Sequence, residues 1–213
     1  MTTLAVIGGT GYAGRNIVDE AVARGLQVIS VSRTPGEMPA GAQQRTGSIE
    51  DTALLQTLFA DADTVVVAVH GAVDGASFLA DLVPGLLDLA AAHGTRLGFV
   101  GGAGSLDVAP GGPRVIDQPE FPEQFKLEAG AHAQALEALR ASDSPADWFY
   151  VSPAGGFGSY NPGTRTGSYR TGGDVLLTDA DGNSNISGAD FGIAIVDEVE
   201  HPTHHRARFT VAY

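Results

Sequence analysis

The sequence predicts an α/β fold, a doubly wound parallel sheet with a small C-terminal cap. Short apolar segments that read as strands alternate with helical segments from residue 4 to residue 153. The connections between strands are mostly too long for hairpins, so successive strands should run parallel with helical crossovers. A glycine cluster of Gly8, Gly9, Gly11 and Gly14 closes the first apolar run and opens the first helix, as a tight strand-to-helix turn requires.

Residues 4–7 are continuously apolar, the pattern of a short strand buried on both faces. Residues 12–24 read as a helix with Ile17, Val18, Ala21 and Val22 on one stripe, stopped by Gly25. A second strand spans 27–32, and a weaker one 43–46. Residues 51–59 form a short helix with Leu54, Leu55 and Leu58 facing inward, followed by a strand at 64–69. The long helical stretch 75–93 contains Pro84, which predicts a kink or break. A strand at 97–100, a helix at 122–140 and a strand at 148–152 ended by Pro153 complete the alternation.

After Pro153 the character changes. Residues 154–175 are rich in Gly, Pro, Ser and Thr, and the segments 176–178 and 185–187 flank Asp181–Gly182, a hairpin signal. A helix at 188–200 and a strand at 207–212 end the chain. The expected organisation is a single domain over 1–213, with 154–187 as a cap on the substrate side.

Composition narrows the function. Twelve Lys and Arg stand against 25 Asp and Glu in 213 residues, giving a net charge of −13. Scattered basic residues on so acidic a chain argue against nucleic acid and against an anionic membrane surface. With no Cys there is no disulfide scaffold, Cys nucleophile or Cys-ligated zinc. No secretory signal and no apolar run of membrane-spanning length is visible, so the expected compartment is the cytoplasm.

The segment VIGGTGYAGRN carries Gly9-x-Gly11-x-x-Gly14 and Gly8-x-x-Gly11-x-x-Gly14. Both spacings let backbone N–H groups and a helix N-terminus approach a pyrophosphate, and a Cβ at the middle glycine would block that approach. The second strand ends in Ser32–Arg33 rather than the acidic residue that holds an NAD ribose. A guanidinium beside a hydroxyl suits a 2′-phosphate, so NADP is expected, with NAD the alternative. Arg15 could assist, and Glu37 lies nearby in sequence.

Taken with SPAGGF after the sixth strand and the ending HHRARFTVAY, these motifs resemble the atypical short-chain dehydrogenase/reductases. Within them the chain is most similar to the NmrA-like and biliverdin-IXβ-reductase-like NAD(P)-binding proteins. The resemblance covers essentially the whole chain. It implies a Rossmann domain of strand order 3-2-1-4-5-6-7 binding NADP(H), with either reductase activity or redox sensing. The sequence departs from the standard pattern at the catalytic positions. Phe125 stands where a Tyr would donate a proton, Ala129 where a Lys would stand, and Ser105 falls a few residues late.

The cofactor-facing residues read from the sequence are Gly8, Thr10, Gly11, Tyr12, Ala13 and Gly14 of the turn, and Ser32 and Arg33 after the second strand. Val69, His70 and Gly71 end the strand beside the first, at the topological switch point. Ser152 and Pro153 end the sixth strand, where the resemblance turns their backbone toward the nicotinamide. Lys126, the only Lys, and His132 are the candidate catalytic residues. No metal is expected. Asp179-x-Asp181-x-Asn183 has its Gly at the wrong position for a calcium loop, and His201, His204 and His205 lie on a Pro-containing loop that would not align them.

The expected function is therefore an NADP(H)-binding oxidoreductase acting on a small quinone, flavin or conjugated carbonyl. The alternative is a non-catalytic NAD(P) redox sensor with a protein partner; an epimerase or dehydratase ranks below both. A homodimer is left open.

Overall fold

The computed structural model describes residues 2–213. Ten strands are numbered in chain order: β1 (Thr3–Ile7), β2 (Gln27–Ser32), β3 (Ala42–Thr46), β4 (Thr64–Val67), β5 (Ala72–Val73), β6 (Ala76–Ser77), β7 (Arg96–Val100), β8 (Trp148–Ser152), β9 (Arg170–Gly172) and β10 (Ala207–Ala212). Five α-helices accompany them: α1 (Tyr12–Ala23), α2 (Thr52–Asp61), α3 (Leu79–His93), α4 (Glu123–Ala141) and α5 (Gly188–Glu200). The main sheet has the order β3-β2-β1-β4-β7-β8-β10-β9. Every pairing in it is parallel except that of β10 with β9. The order reverses at β1, between β2 and β4, as in a Rossmann sheet.

Period-two geometry explains the continuous apolar runs. In β1, Ala5 and Ile7 enter one core with Leu58, Leu86, Leu87 and Leu136, from α2, α3 and α4. Leu4 and Val6 enter the opposite core with Ile17, Phe191 and Ile195, from α1 and α5. A strand covered on both faces cannot alternate with polar residues. Each buried side chain of this size stabilises the fold by about 1.5–3 kcal/mol.

Local chemistry sets the helix ends. Asp51 caps α2 by accepting from the N–H groups of Ala53 and Leu54, and Ser187 caps α5 through the Asp190 N–H. Gly94 ends α3 in the left-handed region, φ 68°.

Several expectations are corrected. The strand expected over 64–69 stops at Val67. The stretch expected to be helical from residue 75 opens instead with the β5–β6 hairpin, turned at Asp74–Gly75, and α3 begins only at Leu79. Both turn residues have positive φ, which a helix cannot hold. Pro84 consequently falls in the second turn of α3, where the helix runs through it without a break. Residues 176–187 make no strand ladder. The turn expected there is a loop built on Asp179, whose carboxylate accepts from the N–H groups of Asp181 and Asn183. The antiparallel edge strand β9 lies in the Gly-rich segment and carries no sequence pattern of its own.

Residues 156–168 are tied firmly to the rest of the fold. Asp190, fully buried, accepts from the Thr166 and Gly167 N–H groups, the Ser187 hydroxyl and the Tyr213 hydroxyl. Asn161 binds the Gly156 carbonyl and the Asn185 side chain, and the Gly156 N–H donates to the Ser184 carbonyl. These bonds fix residues 156–168 against the start of α5.

Candidate functional site: a cleft along the C-terminal edge of the sheet

The carboxyl ends of β1, β2, β4, β7 and β8 open into a cleft of about 1690 Å³. That exceeds the few hundred to about 1,000 Å³ of ordinary small-molecule sites and leaves room for a dinucleotide beside a second molecule. Gly8, Thr10, Gly11, Tyr12, Ala13, Ser32, Arg33, Val69, His70 and Pro153 line it. Gly14, Gly71 and Ser152 do not.

The glycine turn separates into two kinds of position. Gly8 has φ +90°, and a Cβ there would fall on the Ala68 carbonyl. A Cβ on Gly9 would meet the Ser30 hydroxyl, and one on Gly14 the Gly8 carbonyl. The protein's own packing demands these three glycines. Gly11 is different, because the nearest atom to its added Cβ would be the Gly8 oxygen at 3.3 Å. Its side of the turn faces the cleft, as a residue that must admit a ligand should.

Gly11 is also the N-cap of α1 and supplies no side-chain cap, and no acidic residue stands in the first turn. The first amides of a helix have no partner within it and carry partial positive charge. An uncapped helix start beside an empty Cβ position fits a pyrophosphate.

Arg33 lines the same end of the cleft and is neither hydrogen-bonded nor ion-paired to another described residue. The Ser32 hydroxyl donates to the Thr34 carbonyl at 2.8 Å, and so shapes the turn that carries Arg33. Arg15 is engaged elsewhere. It is held by Asp19 at 2.7 Å and by the Glu37 carbonyl at 2.5 Å. Glu50 shares this end of the cleft, 3.5 Å from the Ser48 hydroxyl.

In the middle of the cleft stands a residue the sequence reading missed, Glu128 on α4. Its Oε1 accepts from His70 Nδ1 at 3.1 Å, His132 Nε2 at 3.1 Å and the Gly71 N–H at 3.0 Å. Its Oε2 accepts from the Ala72 N–H at 3.0 Å. Burial pushes this carboxyl up, but the His132 hydrogen bond and charge and the two backbone N–H groups outweigh it and bring the pKa to about 2. A carboxylate only accepts, so both imidazoles turn an N–H toward it. His70 is 83% exposed on its side chain, leaving Nε2 open to the cleft. His132 is 7% exposed and its Nδ1 is buried without a partner. His132 is therefore an anchor for Glu128, and neither of its nitrogens is open to a substrate. Gly71 acts through its N–H rather than by lining the cleft. Sequence gave no sign of Glu128, which lies 58 residues from His70.

Two further expected positions, Lys126 and Ser152, are displaced. Lys126 lies outside the cleft, paired to Glu123 at 2.6 Å on the outer face of α4. The helical spacing that points Phe125 inward turns its neighbour away. Ser152 is completely buried in register with Thr210 of β10, and the wall beyond β8 is made by residues 153–160. Ser105 is drawn away by Arg208, which donates to its hydroxyl at 2.9 Å. His204 and His205 turn to separate carboxylates, Glu198 at 2.7 Å and Asp147 at 2.9 Å.

The chain matches the NAD(P)H-binding family over residues 8–202. The chain belongs to that family. This NAD(P)H-binding protein, an atypical short-chain dehydrogenase/reductase in its motifs and fold, is 37% identical to the uncharacterized YwnB of Bacillus subtilis (strain 168) over 216 residues, covering 98% of this chain and 97% of YwnB. Among solved structures it is similar to a proposed NADH-flavin reductase from Streptococcus pneumoniae, at 33% identity and TM-score 0.82, covering 100% of this chain and 99% of the other. It is similar also to a proposed epimerase from Bacteroides thetaiotaomicron, at 33% identity and TM-score 0.87, covering 100% and 97%. The nicotinamide cofactor thus has both a family and a fitting cradle. No helix among the described residues is long and apolar enough to cross a membrane.

Proposed function

We propose that this protein is an NADPH-dependent reductase that passes a hydride to a small organic acceptor. The observation that carries the reading is the division of one cleft into two ends. The uncapped start of α1 and Arg33 form an anion-binding end. Across the sheet, α4 and residues 153–160 form an apolar end. Bound NADPH supplies the hydride, so the protein is asked mainly to hold and orient it.

The Gly11 turn and the α1 amides would hold the pyrophosphate, and Arg33 the 2′-phosphate. The name of the Streptococcus relative specifies NADH and a flavin; Arg33, standing directly after β2 where an NAD enzyme carries its acidic residue, supports NADPH here. Carbonyl and quinone acceptors also take up a proton. His70 is held by Glu128 through its Nδ1–H, and as the doubly protonated imidazolium it carries a second N–H at Nε2 that can be given to the acceptor. An epimerase of the usual kind needs the Tyr and Lys that Phe125 and Ala129 replace, so the reductase reading is the better supported.

The test is oxidation of NADPH by the purified protein with menadione, FMN, riboflavin and cinnamaldehyde. Turnover with any of them supports the reading. Tight NADPH binding with no turnover would overturn it in favour of a cofactor sensor.

A further inference from the structure

The apolar end of the cleft has an unusual construction. Five large hydrophobic side chains are conspicuously exposed among the described residues: Val73, Val108, Phe125, Leu127 and Tyr160. All but Leu127 line the cleft. Exposed apolar side chains gathered at one mouth, rather than scattered, mark a surface that something else covers.

Two of them form a pair. The rings of Phe125, on α4, and Tyr160, in the cap, lie with centroids 6.5 Å apart and planes inclined by only 19°. Phe125 is 44% exposed and Tyr160 68% exposed. Carbon atoms at optimal van der Waals separation are about 3.5–4.0 Å apart, so a flat ring placed between two others needs about 7–8 Å. The two rings already stand nearly parallel, with centroids 6.5 Å apart, and must part to admit a third. They come from separate elements, so an outward movement of the Phe125 side chain opens the gap while Tyr160 stays in place.

Tyr160 is presented, not loose. Its hydroxyl donates to the Phe157 carbonyl at 3.3 Å. Its ring lies so close over Gly158 that any Cβ there would collide with it. The Asn161 N–H closes the turn onto the Gly158 carbonyl at 3.0 Å. A platform fixed before binding costs less entropy when a ligand arrives.

Charge sharpens the choice of ligand. Arg33 is the only Lys or Arg lining the cleft, and it follows β2, four strands from β8 in the sheet order. At about 4.8 Å per strand that is roughly 19 Å, too far to neutralise an anion at the clamp. The nearer charged residues of the lining, Glu120 and Glu128, are acidic.

We propose that Phe125 and Tyr160 are a clamp that takes a flat, conjugated, uncharged acceptor ring between them, so that a neutral flavin or quinone is preferred to its phosphorylated counterpart. This rests on the reductase reading for its chemistry, but its binding claim can be tested alone. In the place where related enzymes keep an acidic Tyr, Phe125 serves as a stacking surface.

The experiment measures riboflavin binding by quenching of its fluorescence, beside KM values for riboflavin, FMN and menadione. The wild type loaded with NADP+, which cannot reduce the flavin, should bind riboflavin more tightly than FMN. Tyr160→Ala and Phe125→Ala should each weaken riboflavin binding about tenfold or more, since stacking on one aromatic is worth that much. Tyr160→Phe should recover what Tyr160→Ala loses. Gly158→Ala, which keeps both rings but displaces one, should also weaken binding. Affinity for NADPH reports that each variant is folded and should not change. Riboflavin binding unaltered in Tyr160→Ala and Phe125→Ala overturns the clamp, even if turnover continues. Binding lost in those variants with no turnover in any form upholds the clamp and sinks the reductase reading. FMN binding tighter than riboflavin removes the charge preference.

Discussion

Glu128 Oε1 and His132 Nε2 lie 3.1 Å apart across one turn of α4, and the same carboxylate reaches the backbone of Gly71 and Ala72 in the connection after β4. One side chain thus joins the helix that carries Phe125 to the segment that carries His70. It is the point at which the two sides of the cleft are held in register.

The acid stability of the protein should report this junction. The Glu128 carboxyl has a pKa of about 2 in the fold against an ordinary 4.5. A depressed carboxyl pKa stabilises the fold above the unfolded value and loses that contribution as protons bind, here as pH falls from about 4.5 toward 2. Allowing for its partial exposure, the contribution is about 1–2 kcal/mol. Denaturant melts of Glu128→Gln should therefore show a loss of that size at neutral pH and almost none near pH 2. An equal loss at both pH values would assign the effect to packing instead.

The two kinds of glycine should fail differently. Gly8→Ala puts a Cβ on the Ala68 carbonyl at a φ of +90°, and Gly14→Ala puts one on the Gly8 carbonyl. Either should destabilise the fold by several kcal/mol or prevent folding. Gly11→Val should leave the circular-dichroism spectrum and melting temperature nearly unchanged while abolishing NADPH binding. Retained binding by Gly11→Val would refute the pyrophosphate cradle.

Arg33 should set the cofactor. Arg33→Asp should weaken NADPH binding by an order of magnitude or more, since a hydrogen bond to a charged group is worth about 1.5–3 kcal/mol, and should favour NADH. Fluorescence titration of both cofactors against both forms measures it. Equal wild-type affinities for NADPH and NADH would dispose of the 2′-phosphate contact.

The proton donor should separate His70 from Lys126. His70→Ala should lower kcat with menadione about a hundredfold, the contribution of a positioned general acid, with a much smaller change in KM for NADPH. Lys126→Met removes an outward ion pair with Glu123 and should leave turnover as it is. The reverse pattern would return the role to Lys126, and no effect in either would leave proton delivery to solvent.

Much of this protein was legible as a string. Apolar runs too short for helices, helical stripes between them and glycines at fixed spacing determined the alternating fold and the strand-to-helix turn, while the order of the sheet followed from the family resemblance. They could do so because strand burial and the strand-to-helix turn depend on residues within one segment. Arg33 was legible for the same reason, since it stands a fixed distance beyond the motif. The hairpin at Asp74–Gly75 was misread because Leu, Val and Pro downstream extend a helical pattern backwards through two residues that need positive φ. What only the tertiary structure decided is the far end of the cleft. Glu128 meets His70 across 58 residues, and Phe125 meets Tyr160 across 35, through contacts between elements with no shared periodicity. The choice between Lys126 and Phe125 likewise turned on the angle at which α4 packs, which its packing against α3 sets and the helix's own sequence does not.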